Sequence, residues 1–346
     1  MRKKISNYPS IHTIRYMGNK TKLFDFIIPQ IEKITNEGDI ICDLMCGTSS
    51  IGYALSQRNQ IISNDFQKSS SIVSEALLLT KSIPTLKSIH DDIDVFYFDN
   101  VKNKNFSFFY SEYPDTYFAK NQCLQIDSLR YAIDKSPKER QSLYLTILMS
   151  AMCKAQSTPG HFAQFFKKNN KRIQSLREYD LLKIFYEKAA EFQTILTSKY
   201  KNSVFNMDYN ELFKYVDLKN VKCFYLDPPY TSDQYSRFYH ILETVCLYDY
   251  PKTSYKAKYR DGRKMSKFCY KTTVYKEFEK IISFAHTNNS SLVISYSNHG
   301  IAEPEKILEI GKKYYNHSSL TFENYNHSSQ GNGSIKISEC LIIFKY

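Results

Sequence analysis

Four short apolar segments of this sequence each end in an aspartate, and this repeat restricts the fold more than any other feature. Apolar runs of this length, bounded by polar residues, are typical of buried β-strands. Three similar runs later in the chain bring the expected number of strands to seven. The expected strands are residues 39–43, 61–65, 204–208, 221–227, 292–296, 320–325 and 337–344.

Helical patterns alternate with these strands. Helices are expected near residues 20–35, 50–58, 68–82, 272–287 and 303–315. Alternation of strands and helices indicates a mostly parallel sheet in an α/β fold. Because ligands of such sheets bind at the carboxyl ends of the strands, the four aspartates indicate a ligand site there. A single aspartate after a strand is more often a turn former or a helix cap, but four in the same topological position favour a site.

The segment between about residues 92 and 200 interrupts this alternation and carries a basic cluster at 167–172. Its helical patterns are at residues 121–134, 138–154 and 173–198. We therefore expect two domains. Residues 1–92 and 200–346 would form the domain that contains the sheet, and residues 93–199 a largely helical domain inserted into it.

The charge balance of the chain is basic. Its 346 residues include 47 Lys and Arg against 35 Asp and Glu, a formal net charge of +12. Such a balance favours a polyanionic partner, most often nucleic acid, although a merely basic surface is the alternative. No apolar stretch reaches the roughly 20 residues of a membrane span. None of the eight cysteines forms a CxxC pair, so we expect reduced thiols, no zinc site and no metal.

The sequence Asp227-Pro228-Pro229-Tyr230 directly follows the fourth strand. The exocyclic amine of a nucleobase is a poor nucleophile, because its lone pair is delocalised into the ring. The Asp227 carboxylate and the Pro228 carbonyl could accept its two N–H bonds, and two prolines would keep these acceptors rigid. Tyr230 offers a flat face on which an extruded base can stack. The alternative is a strand-ending aspartate followed by a Pro-Pro turn and a surface tyrosine.

A loop of small residues, Asp43 to Ser50, follows the first strand and precedes a helix. Gly47 would let the backbone approach a ligand closely. The loop is neither a dinucleotide GxGxxG nor a phosphate-binding GK[ST] loop, which favours a cofactor that has an amino acid and a nucleoside but no phosphate. S-adenosylmethionine fits this description. Asp65 ends the second strand, where an acid can accept both ribose hydroxyls.

These motifs, together with Tyr16-Met17-Gly18-Asn19-Lys20, resemble in their order the Dam-like, alpha-group DNA adenine methyltransferases. That family has its cofactor motif first, its target-recognition domain in the middle and its DPPY motif afterwards. The resemblance covers most of the chain outside residues 95–200. It implies a Rossmann-like α/β fold in which a seven-stranded mixed sheet has its last strand antiparallel. It also implies that the helical insertion recognises DNA.

The resemblance also assigns residues to the site. The implied cofactor-binding residues are Tyr16, Gly18, Lys20, Asp43, Met45, Gly47, Asp65, Asp208 and Asp227. The implied catalytic residues are Asp227, Pro228, Pro229 and Tyr230. One departure concerns the glycine loop, which usually reads FxGxG in the family. In this chain Met45 replaces the phenylalanine and Ser49 the second glycine.

A second basic segment, Lys252 to Lys271, contains eight Lys or Arg interleaved with aromatic residues. Such a segment supplies charges for phosphates and rings for bases, although a solvated charged loop is the alternative. The expected DNA-binding residues are Lys256, Lys258, Arg260, Arg263, Lys264 and Lys267, and within the insertion Lys168, Lys171 and Arg172.

Together these features predict the transfer of a methyl group from S-adenosylmethionine to the N6 amine of a flipped-out adenine in duplex DNA. The expected setting is a restriction–modification system with a cognate endonuclease as a partner, or an orphan methylase. The expected location is the cytoplasm, where the protein would associate with the bacterial nucleoid. Its gene would be bacterial or carried by a phage. Methylation of RNA adenine, methylation of the cytosine amine, and a catalytically silent DNA-binding protein remain open. Cytosine carbon-5 methylation is disfavoured because the chain has no Pro-Cys pair.

Overall fold

The computed structural model describes residues 7–166, 171–324 and 338–346. Nine strands lie in these ranges: β1 (Ile40–Asp43), β2 (Gln60–Asn64), β3 (Ser203–Phe205), β4 (Val221–Leu226), β5 (Thr253–Ser254), β6 (Tyr259–Arg260), β7 (Ser291–Ser297), β8 (His317–Asn324) and β9 (Ser338–Lys345). Seven of them form one sheet in the order β3-β2-β1-β4-β7-β9-β8. Strand β9 is antiparallel to both of its neighbours, whereas the other pairs are parallel. The predicted α/β fold, with a seven-stranded mixed sheet whose last strand is antiparallel, is therefore confirmed.

The described ranges also contain fourteen α-helices. They are α1 (Phe24–Glu32), α2 (Ser50–Leu55), α3 (Lys68–Leu78), α4 (Leu86–Asn103), α5 (Phe108–Glu112), α6 (Lys120–Lys135), α7 (Lys138–Ala155), α8 (Lys171–Arg177), α9 (Leu181–Phe192), α10 (Tyr209–Tyr215), α11 (Tyr235–Phe238), α12 (His240–Leu247), α13 (Val274–Thr287) and α14 (Pro304–Lys312). None of the helices in this part of the chain has the length and apolar character that crossing a lipid bilayer requires.

Both faces of the sheet are covered, and alternate residues of the strands pack on opposite sides. On one face, Ile41 and Cys223 pack with Ile27 of α1. On the other face, Phe224 packs with Phe278 of α13. Strands that are buried on both faces read as continuous apolar runs, which explains why short apolar segments predicted them correctly.

The register of the parallel strands places the aspartates at one edge. Asp43 at the end of β1 lies opposite Ser63 of β2 and Tyr225 of β4. Asp65 and Asp227 come directly after these two neighbouring strands. The chain runs outward from β1 in one direction through β2 and β3, and in the other through β4 and β7. This reversal of strand order leaves a crevice beside β1, where open α/β sheets bind their ligands.

The helices between β2 and β3 share a core with the sheet domain. Apolar side chains of α4, α6, α7 and α9 pack in one cluster with residues of α3 and α12. Asp127 of α6 strengthens this contact, because its buried carboxylate accepts the backbone N–H groups of Phe109 and Tyr110 and the hydroxyl of Tyr248. The division into two domains stays a prediction, and its boundary at residue 93 falls inside α4.

One helix was predicted too long. The pattern at 173–198 corresponds to two helices, α8 and α9, with a break between them. Helix α9 begins after Asp180, because the Asp180 side chain acts as an N-cap and accepts the backbone N–H groups of Leu182 and Lys183.

Candidate active site

A pocket with about 1040 Å³ of empty space, including its open mouth, lies at the carboxyl edge of the sheet beside β1 and β4. All nine residues that the sequence proposed for the cofactor line it. They are Tyr16, Gly18, Lys20, Asp43, Met45, Gly47, Asp65, Asp208 and Asp227. The fold thus brings together residues that are up to 211 positions apart, from Tyr16 to Asp227. Their contacts with a cofactor stay a prediction.

Asp65 is held in place by two backbone N–H groups. Gly47 donates to one carboxylate oxygen at 3.0 Å, and Gln67 donates to the other at 2.8 Å. Gly47 has a φ of +51°, a backbone conformation that glycine adopts at little cost. Burial raises the pKa of Asp65 to about 6, although the two N–H groups oppose this shift. Each oxygen keeps a further lone pair, which suits the two neighbouring hydroxyls of a ribose.

Asp43 carries an unpaired oxygen in the wall of the pocket. The residue is 2% exposed, and its Oδ1 has no hydrogen-bond partner among the described residues. Burial raises the pKa of Asp43 well above its usual value, and the nearby Asp227 and Asp65 act in the same direction. A buried acceptor without a partner is costly, so this atom fits a ligand that brings a cationic donor such as an amino group.

Asp208 and Met45 complete the pocket from two loops. Asp208 caps α10 by accepting the backbone N–H of Asn210, and it lines the pocket beside Met207. Met45, which replaces the phenylalanine of the FxGxG pattern, packs partly buried on the apolar cluster under β4. A flexible thioether side chain can fill the space of an aromatic ring, so the departure leaves the pocket apolar at this point.

The Asp227 carboxylate, whose side chain is 20% exposed, forms a cluster of three charges with two buried residues, Lys20 and Glu339. The Lys20 ammonium lies 3.0 Å from Asp227 Oδ1 and 3.0 Å from Glu339 Oε1. The side chains of Lys20 and Glu339 are each 4% exposed. Ser295 of β7 donates its hydroxyl to the same Glu339 oxygen at 2.5 Å. Burial raises the pKa of Asp227 and Lys20 lowers it, while the two carboxylates raise the pKa of Lys20.

Sequence reasoning missed Glu339. Its signal was a single glutamate inside the otherwise apolar run of β9.

The DPPY residues separate two cavities. Pro228 and Pro229 line the large pocket with Asp227, whereas Tyr230 lines a second cavity together with Lys20. This second cavity is open to solvent and has about 990 Å³ of empty space, including its mouth. The Lys20 ammonium lies 5.4 Å from the centre of the Tyr230 ring. One cavity can therefore take a donor molecule and the other an acceptor, with the Asp227 carboxylate near both.

The segment that forms the wall between the cavities is held by tyrosines. The Tyr16 ring stacks on Tyr239 with 4.3 Å between the ring centres, and the Met17 N–H donates to the Tyr239 hydroxyl at 2.6 Å. Gly18 has a φ of +82°, and a Cβ built there would lie 3.2 Å from the Tyr230 hydroxyl. Glycine is therefore required at position 18 both for its backbone conformation and for the space it leaves to Tyr230.

Three of the basic residues after DPPY are exposed, and two of them, Lys264 and Lys267, lie at the pocket. Lys256 lies at the turn of the hairpin formed by β5 and β6, next to Tyr255, which is 83% exposed. Lys264 donates to the carbonyl of Phe66 at 2.7 Å, and Lys267 lines the large pocket. These positions are suited to phosphate contacts next to the site.

The other three of the six residues predicted to bind DNA in this segment are engaged within the protein. Arg260 is 5% exposed and forms two hydrogen bonds with the Asp249 carboxylate, so its charge is already neutralised. Arg263 donates to the Arg260 carbonyl, and Lys258 donates to the carbonyl of Glu112. The geometry favours a structural role for Arg260, which shapes the hairpin.

The basic residues predicted in the helical segment fall wholly or partly outside the described residues. Lys168 lies outside the described residues, and so do the side chains of Lys171 and Arg172, whose backbone belongs to α8. Among the described residues, no group of three or more His, Cys, Asp or Glu side chains is arranged to hold a metal ion.

A sheet of this order, with an acid-lined crevice at its strand reversal and a DPPY turn beside it, defines the class of α/β methyltransferases that act on amines. More narrowly, the chain belongs to the D12 class N6 adenine-specific DNA methyltransferase family, whose sequence model matches residues 16–315. For the family as a whole, this description implies S-adenosylmethionine as the cofactor and DNA as the substrate.

Individual relatives support the family assignment. The modification methylase LlaI of Lactococcus lactis subsp. lactis is 28% identical in an alignment that covers 96% of this chain and 55% of the relative. The type II methyltransferase M.FokI of Planomicrobium okeanokoites is 29% identical, over 87% of this chain and 47% of its own length. The chain thus spans about half the length of these two relatives. The type II methyltransferase M.NlaIII of Neisseria lactamica is 24% identical, over 87% of this chain and 88% of its own length.

Proposed function

We propose that this chain transfers a methyl group from S-adenosylmethionine to the N6 amine of an adenine that is flipped out of duplex DNA. The observation that carries the proposal is the position of Lys20, which lines two cavities and whose ammonium lies 3.0 Å from Asp227 Oδ1 in the wall of the larger one. One cavity is lined by Asp43 and Asp65, and the other by Tyr230.

The large pocket would hold the cofactor. Asp65 would accept the ribose hydroxyls, and the unpaired Asp43 Oδ1 would attract the amino group of the methionine part. Asp208 and Met207 would lie at the nucleoside end. When it is bound there, S-adenosylmethionine supplies an electrophilic methyl group.

The second cavity would hold the target adenine against Tyr230. Asp227 and the Pro228 carbonyl would accept the two N–H bonds of its amine and so concentrate the lone pair on nitrogen. Lys20 approaches Oδ1 of Asp227, so we assign the amine to Oδ2. Positioning and fixed dipoles would supply most of the rate, and no protein nucleophile is required. We expect full activity in the presence of a metal chelator.

DNA would bind on the face that carries the cavities. Lys256, Lys264 and Lys267 would neutralise phosphates, and the helical segment between β2 and β3 would read base edges in a groove. The basic net charge of +12 supports this partner.

We further propose that the methylation protects a recognition site from a cognate restriction endonuclease. The names of the relatives, a modification methylase and type II methyltransferases, support this role. The test is to methylate bacterial DNA with the chain and map the modified sites. Modification at one short sequence, to completion, is the expected result, whereas scattered partial modification would contradict it.

The reaction itself is tested by transfer from isotope-labelled S-adenosylmethionine to unmethylated duplex DNA, followed by digestion to nucleosides and mass spectrometry. N6-methyladenine is the expected product. Methylcytosine would overturn the assignment of the base cavity. Transfer to RNA in preference to duplex DNA would overturn the assigned substrate but not the chemistry.

A further inference from the structure

Glu339 lies outside every motif that led to the site, and also outside residues 16–315 that the family's sequence model matches. It belongs to β9, the antiparallel strand between β7 and β8. Because β9 runs against its neighbours, its first residues lie at the carboxyl edge of the parallel strands. Glu339 therefore reaches the second cavity, which it lines together with Lys20 and Tyr230.

The contacts of Glu339 are specific. Its Oε1 lies 3.0 Å from the Lys20 ammonium and accepts the Ser295 hydroxyl at 2.5 Å. Lys20 lies at the same distance, 3.0 Å, from Asp227 Oδ1. One ammonium is thus shared equally by two carboxylates, and Ser295 fixes the one that does not belong to the DPPY turn.

A cluster of charged side chains of this kind contributes little to the stability of a protein core. Moving charged groups out of water carries a large desolvation cost, and well-packed apolar residues of similar size often stabilise a fold as well or better. Two carboxylates around one ammonium also leave an excess negative charge in a site where a reacting amine becomes positive. These considerations favour a role in the reaction over a role in packing.

We propose that Glu339 is a positioning residue for methyl transfer, which holds the Lys20 ammonium between two carboxylates so that the Asp227 carboxylate stays a strong acceptor with an oxygen free for the amine. This inference rests on the proposed function. Without Glu339, the Lys20 ammonium would form an ion pair with Asp227 alone. The Asp227 carboxylate would then be a weaker acceptor for the amine.

The Asp227 carboxylate faces titratable groups on several elements. They are Lys20 before α1, Asp43 of β1, Tyr225 of β4, Tyr230 of the DPPY turn, Tyr235 of α11 and Glu339 of β9. Glu339 raises the pKa of Asp227 by like charge, whereas Lys20 lowers it. The tyrosines stay neutral, because burial raises their pKa values. Removal of the Glu339 charge should therefore lower the pKa of Asp227.

The experiment measures single-turnover methyl transfer to duplex DNA, at saturating cofactor and DNA, from about pH 5 to about pH 9. For Glu339→Gln we expect the plateau rate to fall about tenfold or more. We also expect the acidic limb of the profile to move down by about one pH unit. Glu339→Asp, which keeps the charge, should leave the limb near its wild-type position with a smaller loss of rate. Ser295→Ala should change both quantities in the same direction as Glu339→Gln, but less.

Glu323→Gln is the matched control, because Glu323 of β8 pairs with Glu339 in the sheet but is exposed to solvent. It should behave as wild type. A fall in rate with an unmoved acidic limb in Glu339→Gln would mean a packing role and would overturn the inference. So would an unchanged rate. If Glu339→Gln fails to fold, the role of Glu339 is tested with Ser295→Ala and Glu339→Asp. The plateau rate and the pH of the acidic limb are measured for both.

Measurements on the wild-type protein distinguish a failure of the proposed function from a failure of the role assigned to Glu339. If it transfers no methyl group to DNA, the proposed function fails. If it does so and the limb does not respond to Glu339→Gln or Ser295→Ala, only the role of Glu339 fails.

Discussion

The carboxylate of Asp65, at the end of β2, accepts the backbone N–H of Gly47, in the loop after β1, at 3.0 Å. This bond joins the two neighbouring strand ends and fixes the glycine loop around the pocket. It also places an acid that is almost completely buried, with 6% exposure, directly at the candidate cofactor site. The site is therefore assembled around a charge whose ionisation depends on what binds next to it.

The first prediction concerns how stability and cofactor affinity depend on pH. Burial raises the pKa of Asp65 to about 6, above its value in the unfolded chain. The proton that the folded state binds more tightly stabilises the fold fully below about pH 4, and this contribution is lost as pH rises through about 6. The ionised carboxylates that result attract the cationic cofactor. We expect the affinity for S-adenosylmethionine to fall by up to about tenfold per pH unit below pH 6.

Calorimetric titration at several pH values measures this dependence, with proton uptake obtained from buffers of different ionisation enthalpy. Because the cofactor favours the ionised carboxylates, binding below about pH 6 should release protons. An affinity that is constant across this range would mean that Asp65, Asp43 and Asp227 do not contact the cofactor.

The second prediction separates chemistry from binding. Asp227→Ala should lower the rate of methyl transfer by at least about a hundredfold, because the main acceptor for the reacting amine is lost. DNA affinity should change little, since the exposed lysines are untouched. Rates are measured in single turnovers and DNA affinity by fluorescence anisotropy. A variant that keeps wild-type activity would contradict the proposed mechanism.

The site was predictable from the sequence as far as it depends on parallel strands. Asp43, Asp65 and Asp227 each follow an apolar run, and the carboxyl ends of neighbouring parallel strands meet at one edge. Glu339 was not predictable in this way. It stands at the amino end of a strand, and only the antiparallel direction of β9 brings it to the same edge.

Burial of charge was the other point that the sequence did not reveal. Arg260 looks like any other cation of the basic segment, and its pairing with Asp249 depends on how the chain turns after α12. The start of α9 depended in the same way on one capping side chain, Asp180, within a continuous helical pattern.

The third prediction uses two glycines with nearly the same positive φ. Gly18 has a φ of +82° and Gly38 a φ of +86°, so alanine at either position should cost about 1–2 kcal/mol of stability. Only at Gly18 does the new Cβ meet a functional side chain, the Tyr230 hydroxyl at 3.2 Å, whereas nothing lies within 4 Å of the position at Gly38. Gly18→Ala should therefore also lower methyl transfer, which Gly38→Ala should not.

Thermal unfolding and single-turnover rates of both variants decide this point. Equal activity of the two variants, at equal loss of stability, would show that Tyr230 can move without consequence and is not the stacking platform for the base.

The fourth prediction concerns Asp127, which accepts two backbone N–H groups and the Tyr248 hydroxyl while it is completely buried. Asp127→Ala would leave these donors without a partner, and each unsatisfied buried group costs about 1–3 kcal/mol. We expect a large loss in the free energy of unfolding, measured with urea. Asp91→Ala at an exposed position of α4 is a suitable control, and a similar small effect of both changes would contradict the anchoring role of Asp127.

The last prediction distinguishes the exposed cations of the basic segment from the buried one. Lys256→Ala should lower the slope of the logarithm of DNA affinity against the logarithm of salt concentration by about 1, without a change in melting temperature. Arg260→Ala should instead lower the melting temperature, because it removes a buried side chain that joins the hairpin to Asp249. DNA titrations at several salt concentrations, together with thermal unfolding, measure both effects. If Lys256→Ala leaves the slope unchanged, the hairpin is a solvated loop, and the DNA must lie against another face of the molecule.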